Sequence, residues 1–107
     1  MARTNETYRI LADKKFDKIV RKRLTEKLQK VLQRKLEYLK TNPKHPSLNT
    51  KALHVSRQKL RQLGVDEVFE FRITMSFRCV FYVIHERREI ILAIVGNHED
   101  VKKYVKR

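Results

Sequence analysis

Val68-Phe69-Glu70-Phe71-Arg72-Ile73, then Phe77-Arg78-Cys79-Val80-Phe81, then Glu89-Ile90-Ile91-Leu92-Ala93-Ile94-Val95-Gly96, decide the fold. Over residues 68–75, Phe69, Phe71 and Ile73 alternate with Glu70, Arg72 and Thr74. A period of two predicts a strand with one buried face and one polar face. Residues 77–85 come straight back as a second strand, with the hairpin turning near 74–76, and Arg87 and Arg88 make the next turn. Residues 89–95 are apolar on both faces, as an interior strand should be. Arg72 and Arg78 stand isolated on these otherwise greasy strands, and His98 follows Gly96 where the chain leaves the sheet.

Upstream, residues 7–12 read as a short first strand, with Tyr8, Ile10 and Ala12 alternating against Arg9 and Leu11. Asp13 can cap a helix. From there Phe16, Ile19, Val20, Leu24, Leu28, Val31, Leu32, Leu36 and Leu39 recur every three or four residues, one stripe of an amphipathic helix or pair of helices. Thr25 is the one plausible interruption, so periodicity accepts either a single helix or a hairpin. The other faces carry eleven Lys and Arg, against Asp13, Asp17, Glu26 and Glu37. Asn42-Pro43-Lys44-His45-Pro46-Ser47 ends the helix, because a residue preceding proline is driven out of the helical region. Residues 47–55 are expected to run extended. In residues 56–66, Leu60 and Leu63 could anchor a helical turn, but the polar density favours a loop punctuated by Gly64. Residues 101–107 form a basic tail of one or two helical turns.

Composition bounds the function. At 107 residues, without repeats or linkers, one domain is expected. Lys and Arg total 26 against 12 Asp and Glu, a net charge of +14 and a pI near 10.3. That imbalance calls for a polyanionic partner: nucleic acid, the ribosome, an acidic protein or, less readily, an anionic membrane. Cys79 is the lone cysteine, so no internal disulfide can form, and its apolar setting marks a small core residue. The first ten residues have no apolar signal core, and the run over residues 90–95 is far too short to span a bilayer. A cytoplasmic protein without a membrane partner is expected. His45, His54, His85 and His98 are scattered and give no metal-ligand spacing, so neither metal nor cofactor is expected.

Taken in order, the first strand, the helices, Asn42-Pro43-Lys44-His45-Pro46-Ser47-Leu48, Phe69-Glu70-Phe71-Arg72-Ile73, Phe77-Arg78-Cys79-Val80-Phe81 and Val95-Gly96-Asn97-His98-Glu99-Asp100-Val101 resemble the RelE/ParE superfamily of type II toxins. The resemblance runs from about Tyr8 to Val101. It implies an α+β fold: an N-terminal strand and a two-helix hairpin packed on a small twisted antiparallel sheet, with a break at Thr25. It also implies a cognate acidic antitoxin that wraps the protein in a hetero-oligomer. The RelE-like branch implies an endoribonuclease that cleaves mRNA, usually on the ribosome. The ParE-like branch implies inhibition of DNA gyrase without nuclease chemistry.

RNA cleavage without a metal needs a base for the 2′-OH, a cation for the charge growing on phosphorus, and an acid for the leaving 5′-oxygen. Arginine suits the second task because its planar fork grips two phosphate oxygens and stays charged. Histidine suits either proton transfer. By the resemblance, Arg78 occupies the phosphate-gripping position, Arg72 a basic position one strand earlier, and His98 the catalytic position after Val-Gly. Lys51, Arg57 and Lys102 are expected RNA contacts. Glu70, on the strand face of Arg72, is either a general base or a cross-strand ion-pair partner that orients Arg72. The bland alternatives are edge charges at Arg72 and Arg78 that discourage aggregation, and a helix-start role for His98. One departure stands out: Lys102 replaces the Tyr that many RelE-like nucleases place after Asp-Val, and Tyr104 follows two residues later as a possible substitute. A third possibility is an RNA-binding module that grips without cutting.

Overall fold

The computed structural model describes residues 7–106. The basic tail and the N-terminal segment are therefore described only within those limits. The elements are β1 (Arg9–Leu11), α1 (Lys14–Arg23), α2 (Glu26–Thr41), a 3-10 turn (Pro46–Leu48), β2 (Lys51–Ala52), α3 (Arg57–Leu63), β3 (Glu67–Arg72), β4 (Arg78–Ile84), β5 (Glu89–Gly96) and α4 (His98–Lys106). The strands form one sheet in the order β1-β5-β4-β3-β2. The fold is α+β as expected. Three of its four strand pairings are antiparallel, while β1 lies parallel to β5. The long connection through the hairpin brings β1 in on the far side of the last strand.

The helix breaks at Thr25. Asp13 caps α1 by accepting from the Phe16 amide, and Leu24 leaves the helix in an extended conformation. The Thr25 hydroxyl then accepts from the Leu28 amide and starts α2. Leu24 is buried at the corner, so the apolar stripe runs on unbroken while the backbone turns. Leu32 and Leu39 carry it along α2, and Asn42 caps the end ahead of Pro43. Together with Phe16 they pack on Phe69, Phe71, Ile73, Cys79, Phe81, Val83, Ile90, Leu92 and Val95. These side chains define one face of the sheet.

The opposite face is not the solvated polar surface that the alternation in β3 predicts. Val68, Val80 and Tyr82 meet Val65 and Val101 there, with Leu53, Val55, Leu60, Ile94, Tyr104 and Val105 around them. This second core corrects two expectations. Residues 56–66 hold a helix, α3, rather than a loop: Ser56 caps it by accepting from the Lys59 amide, and Gly64 closes it at φ 72°. Residues 47–55 are extended only at β2, after the 3-10 turn. The C-terminal segment is a nine-residue helix laid on this face. A register shift between Val80 and Phe81 sets Ile94 opposite Val80 but Leu92 opposite Phe81. Ala93 is the extra residue, and the bulge reverses which side chains of β5 face α4. Among the described residues, no helix is long and apolar enough to cross a membrane.

Candidate nucleic-acid interface

Cross-strand register assembles the site. Arg72 lies opposite Arg78, and Arg78 lies opposite Gly96. Directly opposed residues share a face, so both arginines project on the α4 side of the sheet, with Cα atoms roughly 5 Å apart. One row back, Lys51 lies opposite Glu70, which lies opposite Val80. Side chains two apart on a strand share a face, so Lys51, Glu70, Arg72 and Arg78 form one charged cluster. His98, two residues past Gly96, opens α4 where the chain leaves the sheet and is solvent-exposed. Among the described residues its imidazole has no hydrogen-bond or ion-pair partner.

The edge-charge alternative divides along the sheet. Arg78 sits on an interior strand, flanked by β3 and β5. Arg72 lies beyond the reach of β2, which pairs only with Phe69 and Glu70, so β3 is outermost there. Its guanidinium touches Met75 Sδ at 3.9 Å and has no carboxylate partner among the described residues. Glu70 does not orient Arg72. Its Oε2 instead lies 3.5 Å from Arg78 Nε. The diagonal reach to β4 wins because Arg72 is directed toward the hairpin tip. Both members of the pair are largely buried, and Arg78 Nε makes no hydrogen bond.

The start of α4 is held by a device that the sequence reading passed over. Asn97 Oδ1 accepts from the Asp100 amide at 2.9 Å, and Asp100 Oδ2 accepts from the Asn97 amide at 2.9 Å. This reciprocal cap was legible as Asn-x-x-Asp spacing. The Asp100 carboxylate also meets the Arg23 guanidinium at the end of α1. The Asn97 amide foremost holds the Asp100 carboxyl below its ordinary range; burial opposes it, and Arg23 and then Lys103 add to the lowering. A Cβ on Gly96 would lie 2.6 Å from Asp100 Cβ, so only glycine admits this packing.

The other expected residues are spread more widely. Tyr104 bonds through its hydroxyl to that of Tyr82, four residues along β4 from Arg78, about 13 Å of strand. Burial first, and then the Tyr104 hydroxyl, push the Tyr82 phenol up. Lys102 is exposed and lies 3.9 Å from Glu99. Arg57 is exposed in the first turn of α3. Cys79 is fully buried, and burial pushes its thiol up, away from the thiolate that a nucleophile requires. Among the described residues, no three His, Cys, Asp or Glu side chains gather as a metal set.

The layers and topology are shared with solved structures of known proteins. The chain is similar to the archaeal RelE-RelB complex from Pyrococcus horikoshii OT3, with a TM-score of 0.68 and 15% identity over 85% of this chain and 94% of that one. It is also similar to a metal-bound toxin from Helicobacter pylori, with a TM-score of 0.55 and 18% identity over 88% of this chain and 98% of that one. No family model matches the sequence. No curated protein matches it either.

Proposed function

We propose that this protein is the toxin of a toxin–antitoxin pair and a metal-independent endoribonuclease acting on mRNA at the ribosome. The observation that carries the reading is the Arg72–Arg78–Gly96 row, with Lys51 beside it and His98 at the same end. Like charges set directly opposite each other on a sheet destabilise it, so a built pair of arginines makes sense where an anion completes it. In the reaction the 2′-hydroxyl gives up its proton as its oxygen attacks phosphorus, the bond to the 5′-oxygen breaks, and that leaving oxygen takes a proton; His98 carries out one of the two transfers as base or acid, and water the other. Arg72 and Arg78 stabilise the charge on the non-bridging oxygens, and His98 transfers a proton. The products carry a 2′,3′-cyclic phosphate and a 5′-hydroxyl. Lys51, Arg57 and Lys102 hold neighbouring phosphates, and an acidic antitoxin neutralises the +14 charge in the resting cytoplasm.

The test maps 5′-ends on translated and untranslated message after a pulse of expression. New ends on translated message, lost in a triple alanine variant of Arg72, Arg78 and His98, support the proposal. Equal cleavage by that variant overturns it. One observation favours a second reading, a ParE-like inhibitor of DNA gyrase. Lys102 stands where RelE-like nucleases carry Tyr, and Tyr104 is tied to Tyr82 far from Arg78. Arrest of supercoiling with translation intact would select that reading.

A further inference from the structure

We propose that Glu70 is a positioning residue that occupies Arg78 in the substrate-free protein and yields it to the incoming phosphodiester. The proposal rests on the ribonuclease reading above. Glu70 is 8% exposed, and a buried carboxylate is costly unless it is paired and hydrogen-bonded. Among the described residues its one cationic contact is Arg78 Nε at 3.5 Å, well beyond the 2.7–2.9 Å of a strong charge-assisted bond. Arg78 Nε is buried and makes no hydrogen bond among the described residues. Two buried opposite charges thus sit short of their best geometry, a loose pair that a better anion can open.

The direction of approach matters. A contact through Nε leaves Nη1 and Nη2, the forked end of the guanidinium, free for phosphate oxygens. Glu70 therefore fixes the plane of Arg78, and its negative charge beside the fork opposes an incoming phosphate until the carboxylate turns away. Lys51, opposite Glu70 on β2, is exposed, and its charge on the same face offsets that of the released carboxylate while it holds the neighbouring phosphate. Until then the carboxylate screens three cations that share one face. Proton transfer is left to His98 and water.

The test uses the full-length protein and a short RNA with a 2′-deoxy substitution at the cleavage position, so that binding is read without turnover. Glu70→Gln should bind it roughly three- to tenfold more tightly than wild type, because a competitor for Arg78 is gone. On ribosome-bound message the same variant should show a lower KM and a lower kcat, with the shape of its pH–rate profile unchanged. Glu70→Asp, which keeps the charge but retracts it from Arg78, should move affinity the same way and guards against a folding defect in the first variant. Unchanged or weaker binding by both variants overturns the proposal. So does loss of the acidic limb of the profile at constant KM, which would make Glu70 the general base. A wild type that cuts no RNA removes the nuclease reading alone, since the binding arm still decides the role of Glu70.

Discussion

At the scale of single residues, Gly96 is where backbone geometry and charge meet. It faces Arg78 across the sheet, and its missing side chain lets Asp100 close the cap at the start of α4. Gly96→Ala drives a methyl against Asp100 at 2.6 Å and should destabilise the protein by about 1–3 kcal/mol, read as a lower urea midpoint. Arg78 tests the chemistry instead. Arg78→Lys keeps the charge and loses the fork, and cleavage should fall on the order of 10²-fold in kcat while the unfolding free energy from urea denaturation holds within about 1 kcal/mol. A fall in stability matching the fall in activity would show Arg78 to be structural.

At the scale of elements, the caps set where helices begin. Thr25→Ala removes the acceptor for the Leu28 amide and should cost about 1 kcal/mol, measured by thermal or urea unfolding. α4 is tied to α1 through Asp100 and Arg23, and the Asp100 carboxyl titrates lower in the fold than its ordinary value of 3.8. A depressed carboxyl stabilises the fold fully above the ordinary value and loses that contribution as pH falls through the folded one. Stability should therefore drop on acidification below about pH 4, and Asp100→Asn should flatten that part of the curve. An unaltered acid slope in the variant would assign the drop to other carboxylates.

At the scale of the whole molecule, a net charge of +14 rests on a framework with apolar cores on both faces of one sheet. Such a field attracts polyanions, and on the proposed function each phosphate contact adds to the salt dependence of binding. Lys51→Ala should make the slope of log K against log salt shallower by about 0.7 for single-stranded RNA, without altering thermal stability. A slope equal to wild type would place Lys51 off the RNA path. Burial of Cys79 deep beneath the helical hairpin provides a probe of the same framework. It should resist thiol reagents in the native state and react at the rate of global opening.

The reach of the sequence ended where two arrangements satisfied one pattern. Period-two alternation fixed β3, Asp13 fixed the start of α1, and Pro43 fixed the end of α2, because each is a local backbone preference. The stripe through Leu24 and Leu28 fits a straight helix and a bent one equally, so the resemblance was needed to choose the break at Thr25. A strand apolar on both faces conceals a bulge, and Ala93 gave no sign that the face of β5 reverses there. The fate of residues 56–66 depended on a second core that forms only once α4 lies across the sheet. Charged side chains on one strand likewise cannot announce which neighbour they meet. Pairing Glu70 with Arg78 rather than Arg72 was settled by register and by the diagonal reach between strands, which exist only in three dimensions.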